Sequence, residues 1–436
     1  MTPKGQGGLP QRFADAMGGL LGPHFPKELV LAVSGGGDSM AMLYLAAPWA
    51  RVMGIRLFVC TVNHNLRLEA SNEAALVAAA CAELGLHHQV LDWHWDGQGN
   101  LQDAARKGRI DLIDRWRGAV QHVVVAHTLD DQAETFVMRL ARGSGVDGLS
   151  GMSGKRALPR RNDRVPLHQH PNGPPWPPTR VGRGWVVRPL LGVRRAELRH
   201  YLKALHITYA DDPSNDDPRF DRIKVRQAWD ALAPLGLTPE RLAGTAAQMA
   251  RARDALQDAA LVAHRACRAE DDQVSAQIDV VYDRDLFAQQ RREIQLRLLT
   301  AALRFVAMAD YPPRLSALEN ALDRALGGAA TTLHGAYILP HKARLFICAE
   351  YEKVKDIRPV DGYWRDFYVG SMDVRALGRD GAAQIRDQTD LPARVLWPAP
   401  AVWDGDRVLA TPRLGPNPHW YPASGGIGPE HFLTSH

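Results

Sequence analysis

A loop of glycine, serine and aspartate at residues 34–39 has the composition of a phosphate site. It reads Ser34-Gly35-Gly36-Gly37-Asp38-Ser39, after five consecutive apolar residues and before an apolar-rich run. These runs predict a buried strand before the loop and a packed helix after it. Glycines let a ligand approach the backbone, and free N–H groups at a helix start favour an anion. An ordinary strand-to-helix turn is the alternative, but such a turn would not need an aspartate and two serines.

Two common phosphate loops do not fit these residues. No lysine follows the glycines, as a Walker loop requires, and Met40 stands where the dinucleotide fingerprint needs a third small residue. The loop therefore belongs to another class of phosphate site, in which Asp38 is a candidate ligand for a divalent cation.

A second polar cluster, at residues 127–134, contains His127, Asp130, Asp131 and Glu134. If a helix begins near Leu129, Asp131 and Glu134 share one face and lie near its positive N-terminus, where carboxylates are favoured. Capping of this helix is the alternative interpretation. Capping explains one acid but hardly three acids and a histidine together, so the pattern favours a functional role.

The elements that position these clusters alternate as a doubly wound sheet requires. We predict strands at Leu29–Val33, Arg56–Val62, His88–Trp93 and Gln121–Ala126, and helices at Glu69–Leu84 and Leu101–Trp116. In open α/β sheets the carboxyl ends of the strands form the ligand crevice. Asp38, His64 and His127 are therefore expected at the same edge. Arg106 and Arg109, three residues apart, share one face of the second helix.

The spacing of apolar residues along the sequence changes after Leu237. Apolar spacing predicts helices at Pro239–Val262, Asp285–Phe305 and Arg314–Leu326, followed by short mixed strands that include Tyr337–Leu339 and Arg344–Cys348. We predict three domains, at residues 1–230, 231–327 and 328–436: an α/β domain, a helical domain and a small α+β domain. Three tryptophans of the last domain offer stacking surfaces for bases, but a core position is favoured for them; they are Trp397, Trp403 and Trp420.

Composition is typical of a globular protein with more than one core. The chain has 436 residues, of which 45% are hydrophobic, and no stretch reaches the roughly 18 apolar residues of a membrane span. The expected location is the cytoplasm, without a membrane partner or an obligate protein partner. Four cysteines without a C-x-x-C pair argue against a disulfide framework, a structural zinc site and an iron–sulfur centre.

Positive charge is concentrated between residues 155 and 195. The net charge of the chain is only +5, but this stretch holds ten basic residues and one acid, Asp163. Such an excess indicates a polyanionic partner. A solvated basic loop is the alternative for its proline-rich middle. The ten residues are Lys155, Arg156, Arg160, Arg161, Arg164, Arg180, Arg183, Arg188, Arg194 and Arg195.

Several strings, taken in order, resemble one family of enzymes. The strings are residues 34–39, 62–67, 105–109, 129–135, 142–149, 188–191, 212–215 with Arg222 and Arg226, and 332–336. Together they resemble the tRNA(Ile)-lysidine synthetases, which are N-type ATP pyrophosphatases with a PP-loop. The resemblance is dense up to about Arg226 and thin after it. This chain departs from the family at Ile110, Thr128 and Ile223, where Tyr, His and Asn are usual.

The resemblance implies a Rossmann-like fold (adenine nucleotide alpha hydrolase-like) and a two-step reaction. The C2 carbonyl oxygen of the wobble cytidine in a CAU-anticodon isoleucine tRNA would attack the α-phosphate of ATP, releasing pyrophosphate. The ε-amine of free L-lysine would then attack C2 and release AMP, forming lysidine. ATP and Mg²⁺ are the implied cofactors.

The family's functional residues carry over to matching positions. Ser34, Gly35, Gly36, Gly37, Asp38 and Ser39 would bind ATP. Asp38, Asp130 and Asp131 are the metal candidates, and Asp131, Glu134 and His127 are the lysine-binding candidates. The predicted catalytic set is Asp38, Arg106, Arg109, His127, Asp131 and Glu134. The predicted tRNA contacts are Arg156, Arg160, Arg161, Arg164, Arg222 and Arg226. The helical domain at 231–327 is expected to bind tRNA, and the small domain at 328–436 is expected to contact it.

The proton acceptor for lysine stays open between one of the carboxylates and His127. Deprotonating the amine at pH 7 costs roughly 4 to 5 kcal/mol, so some group must take the proton. Three other functions remain as alternatives: a tRNA thiolase of the same class, a ligase acting on a small molecule, and a non-catalytic RNA-binding relative. Thiolation would need catalytic cysteines or a cluster, which the four cysteines do not offer in a suitable pattern.

Overall fold

The protein forms two compact units, Met1–Arg253 and Asp254–His436, which are treated separately below. A computed structural model describes residues 7–64, 69–95, 97, 101–158, 184–210, 221–269, 278–309, 311–360, 363–365, 367–414, 421–422 and 428–434. Arg160, Arg161, Arg164 and Trp420 lie outside the described residues. The division into three domains, with boundaries at 230/231 and 327/328, stays a prediction.

Unit 1 alternates strands and helices along the chain. Its strands are β1 (Glu28–Ala32), β2 (Arg56–Asn63), β3 (His87–Asp92), β4 (His122–Val124), β5 (Lys155–Ala157) and β6 (Trp185–Val187). Its helices are α1 (Leu9–Leu21), α2 (Gly37–Met53), α3 (Glu69–Leu84), α4 (Leu101–Trp116), α5 (Leu129–Ala141), α6 (Val146–Leu149), α7 (Arg195–Ala204), α8 (Asp221–Gln227), α9 (Trp229–Leu232) and the first half of α10 (Pro239–Cys267).

The sheet of unit 1 has the strand order β3-β2-β1-β4-β6-β5. All neighbours are parallel except β5, which runs antiparallel to β6. Ala32 at the end of β1 pairs with Cys60 of β2, and Leu31 pairs with Val124 at the end of β4. The carboxyl ends of these three strands therefore meet at one edge, as predicted. The predicted Rossmann-like parallel sheet is confirmed.

Apolar residues cover both faces of this sheet. On one face, α1, α2 and α7 pack against the strands, and Phe13, Met17 and Leu198 are fully buried there. On the other face, Ile113 and Trp116 of α4 pack against the sheet. Burial of one such large side chain contributes about 1.5 to 3 kcal/mol, which explains why the strands are continuous apolar runs. The packed sheet fixes the positions of the loops at its edge.

Unit 2 contains shorter elements. Its helices after α10 are α11 (Arg284–Ala288), α12 (Arg292–Ala307), α13 (Leu315–Leu326), α14 (Tyr351–Val354), α15 (Gly378–Gln384), α16 (Ala393–Leu396) and α17 (Glu430–Thr434). Its strands are β7 (Val280–Asp283), β8 (Thr331–Leu333), β9 (Ala336–His341), β10 (Arg344–Ala349), β11 (Tyr363–Trp364), β12 (Phe367–Tyr368), β13 (Val374–Ala376), β14 (Pro400–Asp404), β15 (Arg407–Ala410) and β16 (Tyr421–Pro422).

Two features of unit 2 differ from the sequence expectation. The helix predicted at Asp285–Phe305 is two helices, because α11 ends at Ala288 and α12 begins at Arg292. Strand β7 precedes them and joins the antiparallel sheet β7-β10-β9-β8. The helices and this sheet share a core that includes Phe287, Leu298 and Ile347. The helical segment is therefore packed on a sheet.

The core interpretation of the tryptophans is confirmed for Trp403, which is buried in a second apolar cluster of unit 2. Trp397 is half-buried against the same cluster. Within the described ranges, no helix has the length and apolar character that a membrane span requires.

Candidate active site

The glycine loop is held in shape by its own serines. The backbone N–H of Ser34 donates to Ser39 Oγ at 3.1 Å, and Ser39 Oγ donates to the carbonyl oxygen of Gly36 at 2.9 Å. Gly35 has a φ of +88°, a conformation that favours glycine. Gly37 is the first residue of α2, so the loop ends at a helix N-terminus. The predicted ATP-binding residues thus form one compact turn with the arrangement that binds anions.

A single guanidinium, that of Arg195, connects this loop to the second polar cluster. Its Nε lies 3.0 Å from Asp38 Oδ2, its Nη2 lies 3.2 Å from Asp131 Oδ1, and its Nη1 lies 3.3 Å from Glu134 Oε1. The three carboxylates raise the pKa of Arg195, although burial acts to lower it. Sequence analysis placed Arg195 only in the basic stretch. No local pattern could reveal its role, since 157 positions separate it from Asp38.

Asp131 has both a capping role and a place in the cluster. Its Oδ2 accepts hydrogen bonds from the N–H of Thr128 at 2.8 Å and from Thr128 Oγ1 at 2.9 Å, which completes a capping box at the start of α5. Burial acts to raise the pKa of Asp131, but Arg195 and the Thr128 N–H hold it below its usual value. The capping interpretation therefore applies to this acid. Thr128, one of the family departures, supplies the cap.

Glu134 is fully buried, and two arginines donate hydrogen bonds to its carboxylate. Its Oε1 accepts from Arg226 Nε at 2.7 Å and from Arg195 Nη1 at 3.3 Å, and its Oε2 accepts from Arg226 Nη2 at 3.4 Å. Buried charges of this kind are stable only when they are paired. Arg226, a predicted tRNA contact, thus lies against a predicted lysine-binding residue.

The three predicted metal ligands differ in whether their carboxylate oxygens already have protein partners. Asp38 Oδ1 is buried without a hydrogen-bond partner, and burial raises the pKa of this carboxyl despite Arg195. Asp130 instead accepts from the backbone N–H of Arg195 at 2.8 Å and pairs with Arg194 at 3.1 Å. Both oxygens of Asp131 are also engaged. Among the described residues no group of three or more His, Cys, Asp or Glu side chains forms a metal site.

Asp38 nevertheless fits a magnesium ion. Mg²⁺ at nucleotide sites is usually held by one or two carboxylates together with substrate phosphates and water. One buried, unpartnered carboxylate oxygen beside an anion-binding loop matches that requirement.

Positive charge surrounds His127. Burial and the neighbouring guanidinium of Arg188 lower the pKa of His127 to about 3, against the opposing effect of Asp131. His127 is therefore neutral near pH 7. Arg109 and Arg222 act on it in the same direction as Arg188. Three further arginines, Arg106, Arg142 and Arg156, lie close enough to add to the effect of burial, which lowers the pKa of Arg109, Arg139 and Arg188.

Sequence analysis had predicted functional roles for four of these arginines. Arg106, Arg109, Arg156 and Arg222 are brought into one basic cluster with Arg188, on elements that are far apart in sequence. Arg139 was missed, and it donates to the carbonyl oxygens of Gly148 and Gly151 at 2.7 and 3.0 Å. The cluster offers a cationic surface beside the carboxylates.

Comparison with known proteins supplies independent observations. Residues 10–231 match the family model described as a PP-loop domain. The chain is 40% identical over 422 residues to the tRNA(Ile)-lysidine synthase of Ruegeria pomeroyi, covering 94% of each protein. It is 39% identical over 309 residues to the tRNA(Ile)-lysidine synthase of Bradyrhizobium diazoefficiens, covering 68% of this chain and 79% of that protein. A U34-tRNA thiolase NcsA from Methanococcus maripaludis, solved with its [4Fe-4S] cluster, matches with 16% identity and a TM-score of 0.39, over 56% of this chain and 77% of that chain.

Proposed function

Because this chain belongs to the tRNA(Ile)-lysidine synthase family of PP-loop proteins, we propose that it joins free L-lysine to C2 of the wobble cytidine in the CAU-anticodon isoleucine tRNA. The chain is an enzyme that uses ATP to form lysidine in tRNA. The proposal adds two points to this: free L-lysine is the donor, and the CAU-anticodon isoleucine tRNA is the acceptor. The observation that supports the proposal is the position of Arg195. Its guanidinium contacts Asp38 of the anion-binding loop and also the carboxylates that are expected to receive a cationic amine.

In the first step, the C2 carbonyl oxygen attacks the α-phosphate of ATP, and pyrophosphate leaves. The loop N–H groups and the N-terminus of α2 are suited to hold that anion in place. Asp38 is the residue that would hold Mg²⁺, which when bound offsets the negative charge of the phosphates. Arg106 and Arg109 supply further positive charge from α4. Adenylation makes C2 electrophilic.

In the second step, the ε-amine of lysine attacks C2, and AMP leaves. The arriving ammonium needs a negative partner, and Asp131 and Glu134 are the carboxylates that contact the guanidinium of Arg195 besides Asp38. His127, with a pKa of about 3, is a weak base at neutral pH. We therefore assign recognition of the ammonium to the two carboxylates, one of which would take its proton as the amine attacks, and assign to His127 the role of a neutral hydrogen-bonding group. Entry of the ammonium would then require a guanidinium to release part of its contact with Glu134.

The cysteines argue against the thiolase alternative. All four are buried, and burial raises the pKa of Cys81 to about 12 and that of Cys60 further still. A thiol in this state is not a nucleophile at neutral pH. A non-catalytic role would leave the arrangement of Asp38, Glu134 and Arg195 unexplained, since withdrawing charges from water is costly even when they are paired.

The test is a transfer assay with bulk bacterial tRNA, ATP and labelled lysine. We expect label in the RNA and release of AMP, and we expect Asp38→Asn to abolish both. Asp15→Asn, at an exposed site on α1, is the matched control and should behave as wild type. ADP as the product, or transfer by Asp38→Asn at the wild-type rate, would contradict the proposal.

A further inference from the structure

An open cleft lies beside the glycine loop, on the side formed by α7 and the residues that follow it. Its volume is about 470 Å³, within the range of roughly 300 to 1,000 Å³ for pockets that take small ligands. We call it the α7 cleft. It is lined by Arg199, His200, Lys203, His206, Ile207 and Tyr209.

Three contacts tie this cleft to the loop. The backbone N–H of Ala210 donates to the carbonyl oxygen of Gly35 at 3.0 Å. The ring of Tyr209 lies so close to Gly37 that a Cβ atom there would be 3.2 Å from it. Arg199 is near enough to Asp38 to favour the charged form of that carboxyl. A ligand in the α7 cleft would therefore lie directly beside the nucleotide site.

The turn after α7 forms the second wall. His206 has a φ of +56°, which is uncommon for a residue with a Cβ atom. The turn is held by hydrogen bonds from the N–H groups of His206 and Ile207 to the carbonyl oxygens of Lys203 and Leu202, at 3.1 and 3.0 Å. This reversal brings His206 and Tyr209 back along α7, so that the cleft has basic side chains on both walls.

The described side chains that line the cleft favour an anion. Arg199 and Lys203 are one helical turn apart on α7 and carry fixed positive charge, and none of the described lining residues is an acid. Arg199, His200, Lys203 and His206 are exposed, whereas Ile207 and Tyr209 form a half-buried apolar floor. Cationic side chains above an apolar and aromatic floor are typical of single-stranded nucleic-acid sites.

We propose that the α7 cleft binds phosphate groups of the RNA strand next to the reacting cytidine. The proposal rests on the proposed function, since it takes tRNA as the substrate. It adds a binding site to those predicted from the sequence, which did not include any residue of the cleft. Free pyrophosphate has the same chemistry, but the backbone donors of the glycine loop already suit it, whereas the cleft offers side-chain cations outside that loop.

The experiment measures tRNA affinity against salt concentration for Arg199→Ala/Lys203→Ala. Each phosphate contact on single strands contributes about 0.7 to the log-log slope, so the double variant should lower the slope by about 1 to 1.5 and weaken binding roughly tenfold or more at 0.1 M salt. The control is Lys27→Ala/Arg51→Ala, which removes the same charge at the opposite edge of the sheet, before β1 and in the last turn of α2. The control should keep the wild-type slope.

The outcomes separate this inference from the function on which it rests. An unchanged slope in the cleft variant, while wild type still transfers lysine to tRNA, would overturn the proposal for the cleft alone. The proposal would also be overturned if added pyrophosphate no longer inhibited lysine transfer by the cleft variant while the salt slope of its tRNA binding stayed unchanged. The cleft would then hold pyrophosphate. Failure of wild type to transfer lysine would instead count against the proposed function.

Discussion

Arg195 pairs with three carboxylates that come from two separate helices of unit 1. Asp38 follows β1, whereas Asp131 and Glu134 lie on α5 after β4. Without a cation between them these acids would repel one another, because each is buried to a large extent and like charges destabilise a shared site. Arg195 therefore stabilises the site in the arrangement seen here. In the reaction, the ammonium of lysine would compete for the same oxygens.

The first prediction concerns Arg195→Gln, which removes this charge. The loss of charged hydrogen bonds to buried acids should cost about 1.5 to 3 kcal/mol of folding free energy and should abolish lysine transfer. The measurements are urea unfolding and the transfer assay. Arg194→Gln is the matched control on the neighbouring residue, where the half-exposed guanidinium pairs with Asp130 and with exposed Glu240. That change should cost less than about 1 kcal/mol. Equal losses from the two variants would show that Arg195 has no special role.

At the scale of elements, the strand–loop–helix unit β1–α2 shows that its three glycines are not equivalent. A Cβ atom on Gly35 would lie 3.1 Å from the carbonyl oxygen of Glu73, and the φ of +88° is strained for any other residue. Gly36 has an extended backbone, with φ −71° and ψ 159°, and a Cβ atom there would meet nothing closer than 3.8 Å. The run of three glycines in the sequence did not distinguish these positions.

The second prediction compares Gly35→Ala with Gly36→Ala. The left-handed backbone at residue 35 should cost Gly35→Ala about 1 to 2 kcal/mol, and the contact with Glu73 adds to that cost. Gly36→Ala should stay within about 0.5 kcal/mol of wild type, because its backbone is allowed for alanine. Thermal unfolding of the two variants under the same conditions is the measurement. A Gly36→Ala variant that is as unstable as Gly35→Ala would mean that the loop conformation is misassigned.

At the scale of the whole molecule, four buried or half-buried histidines in the two units share one property. Burial lowers the pKa of His88, His122, His127 and His264, to about 4 at His122 and to about 3 at His127. Nearby Lys155 and Arg117 reinforce the effect at His122. An unfolded chain binds protons at these positions below about pH 6.5, whereas the folded chain binds them only at lower pH. Folding stability should therefore rise with pH between about 4.5 and 6.5.

The third prediction assigns part of this slope to His122. Between pH 5 and pH 7 its lowered pKa should contribute about 1 to 2 kcal/mol, since the unfolded state loses its proton over that interval and the folded state has none to lose. His122→Gln should flatten the pH dependence of urea unfolding by that amount. His24→Gln, at an exposed site before β1, is the control and should leave the slope as it is. A slope that His122→Gln does not change would mean that this ring titrates alike in both states.

The local elements of unit 1 could be derived from the sequence alone. The bounds of α3 and α4 agree with the predicted ranges, and β1 to β4 agree to within a few residues. These elements follow from the periodicity of apolar side chains, which depends on neighbours a few positions away. The edge that gathers Asp38 and Asp131 also follows, because parallel strands joined by helices must place their carboxyl ends together. Short strands such as β5, β6 and β7 were missed because three or four residues carry too little periodicity.

Tertiary structure decided which charged groups meet. The sequence identified Asp38, Asp131, Glu134 and Arg226, but not that Arg195 lies among the first three or that Arg226 lies against Glu134. It also contained every residue of the α7 cleft without indicating that Tyr209 and Arg199 lie near the glycine loop. Such contacts depend on how α7 packs against α2 and how α8 packs against α5 after a long intervening segment. Packing of apolar side chains determines that arrangement, and the positions of the charged groups on those helices follow from it.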